Sequence, residues 1–117
     1  MDSTISTDLI RGHTDTIVLN VLRQADSYGY GIYKEIIELS DNQYELKEAT
    51  LYTAFRRLEM EGHIVSYWGD ETQGGRRKYY RITESGKQLY KQSKRDWDFA
   101  KGILDRLIKG GVSDGKE

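Results

Sequence analysis

From Leu9 to Gln24 the apolar residues Ile10, Ile17, Val18, Val21 and Leu22 recur at spacings of three, four and seven, which predicts an amphipathic helix. The stretch "ADSYGYG" breaks that helix, and Ile32, Ile36 and Leu39 repeat the helical spacing over a shorter second segment that ends in the turn composition "SDNQ". A third segment opens near Leu46 and puts Leu51, Phe55 and Leu58 on one face, with Gly62 past its end as a left-handed cap. After Gly62 the period changes: "HIVSYW" predicts a strand, "GDETQGG" a loop and "RRKYYRIT" a second strand, together a β-hairpin with a glycine-rich tip. Thr83 can then cap a last helix, with Glu84 near its positive end. On that helix Tyr90, Trp97 and Leu104 are seven apart, and Ala100 and Leu107 interleave at heptad-like offsets, so these five are candidate dimer-interface residues. The segment "KGGVSDGKE" is polar and glycine-rich, and we expect it to fray.

The fold class expected is mainly α with a small β-hairpin (α+β). Three short helices followed by a hairpin is the order of a winged helix-turn-helix, whose third helix enters a DNA major groove while the hairpin lies over adjacent backbone. The division expected is 1–83 for the winged unit with its N-terminal helix, 84–110 for a C-terminal dimerisation helix and 111–117 for a flexible tail. The third segment turns Thr50, Tyr52, Thr53, Arg56 and Arg57 outward from its apolar face. Hydroxyls suit phosphate oxygens, and arginine can also read guanine edges. Leu51 and Phe55 already account for the buried face, so Tyr52 is read as a phosphate contact rather than as packing.

Charge sharpens this picture. The 117 residues carry a formal net charge of -1, yet the hairpin concentrates Arg76, Arg77, Lys78 and Arg81 while Asp and Glu lie largely elsewhere. Affinity for DNA depends on the few cations that reach phosphates rather than on the sum. Gly74 and Gly75 would let the backbone approach DNA closely, with Arg76, Arg77 and Lys78 supplying counter-charge. Alternation along a strand divides the cations, Arg76 and Lys78 on one face and Arg77, Tyr79 and Arg81 on the other, with Tyr80 and Ile82 assigned to packing. The bland alternative is a solvated edge whose charges discourage aggregation. Trp68 is expected to pack, and His13 and His63 to be ordinary surface or turn residues.

Composition excludes more than it assigns. There is no cysteine, and two histidines stand far apart, so no disulfide, thiolate metal site or other metal centre is expected. No cofactor is implied, and no Ser-His-Asp, metal or phosphate-loop constellation points to an enzyme. No apolar run approaches the roughly 20 residues that span a bilayer, so we expect a cytoplasmic protein without a membrane partner.

The segments "GYGIYKEI", "EATLYTAFRRLEMEGHI" and "GGRRKYYRITESG", with their spacing and the long last helix, resemble the PadR family of winged-helix transcriptional regulators, and most of all its small multidrug-responsive repressors. The likeness covers nearly the whole chain. It implies a homodimer whose C-terminal helix packs against the partner's N-terminal and C-terminal helices, and repression through a palindromic operator in double-stranded DNA. It also implies that Trp97 lines a flat pore for a planar aromatic effector at the dimer interface. Trp97, Asn20 and Lys101 are accordingly the candidate ligand-binding residues. Lys94 and Lys101 flank Trp97 on nearly one face with Asp98 adjacent, whereas a cationic drug would be better served by aromatic or acidic neighbours, which leaves an anionic aromatic or no ligand open. On the residues alone Trp97 would be a dimer-interface anchor, and the resemblance brings the pocket reading level with it; Asn20 is equally a surface residue. A winged helix that docks an acidic protein partner without binding an operator is the alternative function.

Overall fold

The computed structural model describes residues 5–69 and 76–111. The predicted first helix is two, α1 (Thr7–Ile10) and α2 (Thr14–Leu22). They are parted at Gly12, whose φ of 91° lies in the left-handed region that a continuous helix does not allow. The turn "ADSYGYG" contains a strand that periodicity did not predict, β1 (Ser27–Tyr28), which runs directly into α3 (Gly29–Leu39). A turn through Asp41 and Asn42, both at positive φ, follows α3, and Ser40 Oγ stabilises it by accepting from the Tyr44 N–H at 3.0 Å.

Helix α4 (Glu48–Met60) begins two residues later than expected, because Leu46 is buried ahead of the helix and Lys47 adopts an extended conformation as its N-cap. Its end follows the prediction. Gly62 has φ of 81°, its N–H donates to the Glu59 carbonyl at 3.1 Å, and the His63 N–H donates to the Leu58 carbonyl at 2.9 Å. This pair of bonds is the Schellman closure that satisfies orphan carbonyls at a helix end.

Strands β2 (Ile64–Trp68) and β3 (Lys78–Ile82) form the expected antiparallel hairpin, with Ile64 opposite Ile82 and Trp68 opposite Lys78. Ser27 and Tyr28 of β1 pair with Tyr80 and Tyr79, so the sheet has three strands in the order β1-β3-β2. One face of β3 presents Tyr80 and Ile82 to the core, as alternation predicts. That core is built from Val18, Leu19 and Leu22 of α2, Ile32 and Ile36 of α3, and Leu51, Phe55 and Leu58 of α4, with Ile64 beneath them. The rings of Phe55 and Tyr80 meet at 4.5 Å between centroids, which joins α4 to the sheet.

Thr83 caps the last helix, α5 (Glu84–Lys109), by accepting from the Gly86 N–H at 3.1 Å. At about 1.5 Å per residue its 26 residues run about 39 Å. Leu89 and Tyr90 pack against the core, whereas from Lys101 to Lys109 only Ile103 is even partly buried.

Candidate nucleic-acid interface and apolar cleft

Helix α4 is amphipathic in the strict sense: Leu51, Ala54, Phe55 and Leu58 are buried, and Thr50, Tyr52, Thr53 and Arg56 are exposed. Arg56 Nη2 donates to Thr53 Oγ1 at 3.3 Å, so a guanidinium and a hydroxyl lie side by side on the outer surface. Tyr52 is 42% exposed, with its ring edge-on to Phe55 at 5.1 Å. Its hydroxyl lies over Gly29 at the start of α3, where a Cβ would collide with it. Tyr52 therefore joins α4 to α3 while leaving part of its ring toward solvent.

Arg57 is differently placed. Its Nε donates to Asp15 Oδ2 at 3.0 Å and its Nη2 to Asp15 Oδ1, a two-pronged ion pair between α4 and the first turn of α2. The hydrogen bonds to Asp15 push the Arg57 pKa above its already high ordinary value. All five predicted α4 residues are thus exposed, and Arg57 is at the same time engaged by Asp15.

On the hairpin the four cations divide by strand alternation. Arg76 extends its guanidinium over the Trp68 ring at 5.4 Å, and the Lys78 ammonium lies 5.8 Å from the Tyr80 ring centroid. Trp68 is 58% exposed, so it is not the packing residue expected; it is the platform under Arg76. On the opposite face Arg77 stacks over Tyr28 at 4.5 Å and Arg81 over Tyr67 at 4.8 Å. There Asp26 accepts from Arg81 Nε at 3.1 Å and from the Tyr67 hydroxyl at 2.5 Å. These bonds raise the pKa of both donors, Tyr67 because its proton is held by a carboxylate. Gly74 and Gly75 lie outside the described residues.

A second feature shares no residue with this surface. An apolar cleft of about 670 Å³ runs between α1, α2, α3 and α5, with Ile17, Ile36, Tyr44 and Tyr90 among its walls and Trp97 at its rim. Asn20 and Trp97 line it, and Lys101 does not. Asn20 Oδ1 accepts from Arg23 Nε at 2.9 Å, while Asp98 bridges Lys94 at 3.2 Å and Lys101 at 3.9 Å. His13, expected to be an ordinary turn residue, stands edge-on to Trp97 with ring centroids 5.0 Å apart. Of the predicted dimer residues, Tyr90 and Ala100 are half-buried and Trp97, Leu104 and Leu107 are exposed. Phe99 and Ile108, which the heptad reading passed over, are 74% and 79% exposed.

A family profile described as "Transcriptional regulator PadR-like family" matches residues 18–92, more than half of the chain. The chain belongs to this family. A transcriptional regulator from Clostridium thermocellum is 49% identical and superposes with a TM-score of 0.83, covering 91% of this PadR-like chain and 100% of that one. A PadR family transcription regulator from hypervirulent Clostridium difficile is 35% identical with a TM-score of 0.73, covering 83% and 99%. An uncharacterized protein of Lysinibacillus sphaericus is 43% identical over 106 residues, covering 91% of this chain and 97% of its own. The PadR-like family is one of transcriptional regulators rather than of enzymes. Among the described residues no helix is long and apolar enough to cross a membrane, and no group of three or more His, Cys, Asp or Glu side chains is placed to hold a metal.

Sequence reasoning missed several residues of this PadR-like site. Phe99 and Ile103 stand four apart and lead to the predicted Leu107, a helical spacing that a strict heptad count hides. Asp15 and Asp26 carried no local signal, because their partners lie 42 and 55 residues away in sequence.

Proposed function

We propose that this PadR-like protein is a homodimeric, sequence-specific DNA-binding transcriptional regulator of the cytoplasm, acting as a repressor on a palindromic operator. The observation that carries the reading is the common exposure of Thr50, Tyr52, Thr53 and Arg56 on the outer side of α4, beside a hairpin whose Arg76 and Lys78 share one face. In this reading α4 enters the major groove, with Arg56 available to a guanine edge or a phosphate and the threonine hydroxyls to phosphate oxygens. Arg76 and Lys78 reach adjacent backbone, with Gly74 and Gly75 at the tip; Arg77 adds to the positive field from the other face. The two units of the molecule, 1–83 for reading DNA and 84–110 for dimerisation with a tail at 111–117, follow from the same proposal.

Two copies would bury the apolar arc of α5 against the partner, and the arc from Trp97 through Leu104 and Ile108 to Leu107, Ile103 and Phe99 is wide enough for two partner helices rather than one. Asn20 and Trp97 would then line a shared cavity for a planar aromatic effector, in the manner of the multidrug-responsive repressors. Lys101, outside the cleft of a single chain, would contribute charge at its margin.

The test is binding of the purified protein to its own promoter fragment across a salt series. The logarithm of affinity should fall with the logarithm of salt at about -0.9 per phosphate contact. A protein that stays dimeric and binds no promoter DNA at moderate salt would fit the acidic-partner alternative instead. For the effector, quenching of Trp97 by planar aromatic dyes in a Trp68→Phe background should vanish in Trp97→Ala; quenching that persists would rule out the cavity.

A further inference from the structure

The N-terminus of α2 touches two elements at once. His13, its N-cap, stands edge-on to Trp97 of α5 at 5.0 Å, and Asp15, two residues on, grips Arg57 of α4 through both carboxylate oxygens. At its other end α2 meets α5 again, where the Arg23 guanidinium lies 4.8 Å over the Tyr90 ring. Helix α2 is therefore clamped to α5 at two points, and its first turn is bolted to α4 by a forked ion pair.

Given the reading of α4 as the recognition helix, we propose that Arg57 is a positioning residue rather than a DNA contact: held by Asp15, it is the strut that fixes the recognition helix to α2 and so to the Trp97 cleft. Three observations favour the strut. Two of the three guanidinium nitrogens, Nε and Nη2, are already committed to Asp15. The pair is only partly exposed, 43% for Arg57 and 28% for Asp15, so it is less screened than a pair standing fully in water. Its lever arm is short, because only Thr14 separates the N-cap that touches Trp97 from the carboxylate that holds α4. A ligand or partner that moves Trp97 displaces His13, tilts the first turn of α2 and carries Asp15 and Arg57 with it. Affinity for DNA then changes to the extent that the two arrangements of α4 bind DNA differently.

Three variants of the dimer separate strut from contact. Asp15→Asn removes a carboxylate that repels DNA, so if Arg57 contacted phosphate this variant would bind the promoter more tightly. The strut predicts the opposite, a loss of about tenfold with two pairs broken per dimer. Arg57→Lys keeps the charge and loses the fork, and the strut predicts a similar loss with an unchanged salt slope. Arg57→Gln should likewise leave the slope unchanged; a slope reduced by about 0.9 per protomer would make Arg57 a phosphate contact and overturn the proposal. A second arm needs no DNA. In a Trp68→Phe background, Arg57→Lys should alter the acrylamide accessibility of Trp97, although the substitution is on another helix. Unchanged Trp97 accessibility would overturn the strut even if the wild-type protein bound no promoter, an outcome that would separately defeat the DNA-binding reading.

Discussion

Two glycines on one helix show how much the meaning of a residue depends on what stands beside it. Gly86 is buried at the joint between the hairpin and α5, where a Cβ would collide with the His63 carbonyl oxygen and lie 2.8 Å from Ile82 Cγ1. That carbonyl cannot step aside freely, because it accepts from the Thr83 N–H at 3.0 Å. Gly102 has nothing within 4 Å of the same position. We predict that Gly86→Ala costs about 1–3 kcal/mol through overpacking. Gly102→Ala should gain up to about 1 kcal/mol, the helix-propensity difference between the two residues. Parallel thermal melts decide it: equal shifts for the two variants would contradict the packing argument. Both glycines look alike in the sequence, since the carbonyl that makes one irreplaceable belongs to a residue 23 positions earlier.

The tyrosines give a pH prediction at the same scale. Tyr33 is raised in pKa by its hydrogen bond to Glu45, Tyr67 by its bond to Asp26, and Tyr44 and Tyr80 by burial. A raised folded-state value means that the folded chain holds its phenolic protons more tightly than the unfolded chain does. The stability linked to these groups is therefore fully present below the unfolded value of about 10 and is lost as pH rises through the higher folded values. Melting temperature should be insensitive to these groups from pH 7 to 9 and fall above about 10. Tyrosinate absorbance of the folded protein should lag that of the urea-unfolded chain. Coincident titrations would show that the four environments do not hold the proton as described.

Among the elements, those with a repeating period were legible and those defined by pairing were not. Helices α3, α4 and α5 follow from apolar spacing, and the hairpin follows from the change to period two and the alternation that buries Tyr80 and Ile82. Strand β1 has only two residues, too few to show a period, and exists because Ser27 and Tyr28 find β3 more than fifty residues later. The break at Gly12 was equally silent, since a helical pattern tolerates an isolated glycine until its φ is known. For the wing the same alternation makes a functional prediction. Arg81 is neutralised by Asp26 on one face, and Lys78 lies on the other. Lys78→Gln and Arg56→Gln should each reduce the salt slope of promoter binding by about 0.9 per protomer. Arg81→Gln should leave the slope unchanged while loosening the hairpin. A slope that responds to Arg81 as it does to Lys78 would mean that both wing faces reach DNA.

At the scale of the whole molecule, the far half of α5 is the part that a single copy explains least. From Lys101 to Lys109 the helix buries only part of Ile103, and Leu107 and Ile108 stand 73% and 79% exposed. These nine residues extend a helix already nucleated by its packed first half, but apart from Ile103 they lack the tertiary packing that supplies most helical stability in proteins. Intrahelical pairs such as Lys109 with Asp105 at 3.0 Å add only about 0.2–0.5 kcal/mol each. In the dimer proposed above, the second copy supplies the packing that this half of α5 lacks. Helicity and melting temperature should then rise together with protein concentration, because dissociation accompanies unfolding. Leu107→Glu places a charge in the middle of the buried arc and should yield a monomer by sedimentation, with lower ellipticity at 222 nm and a melting temperature independent of concentration. The winged part should survive, since Leu19, Ile32, Phe55 and Ile64 are buried within one chain. If Leu107→Glu instead stays dimeric with full helicity, the apolar arc of α5 is not what joins the two copies.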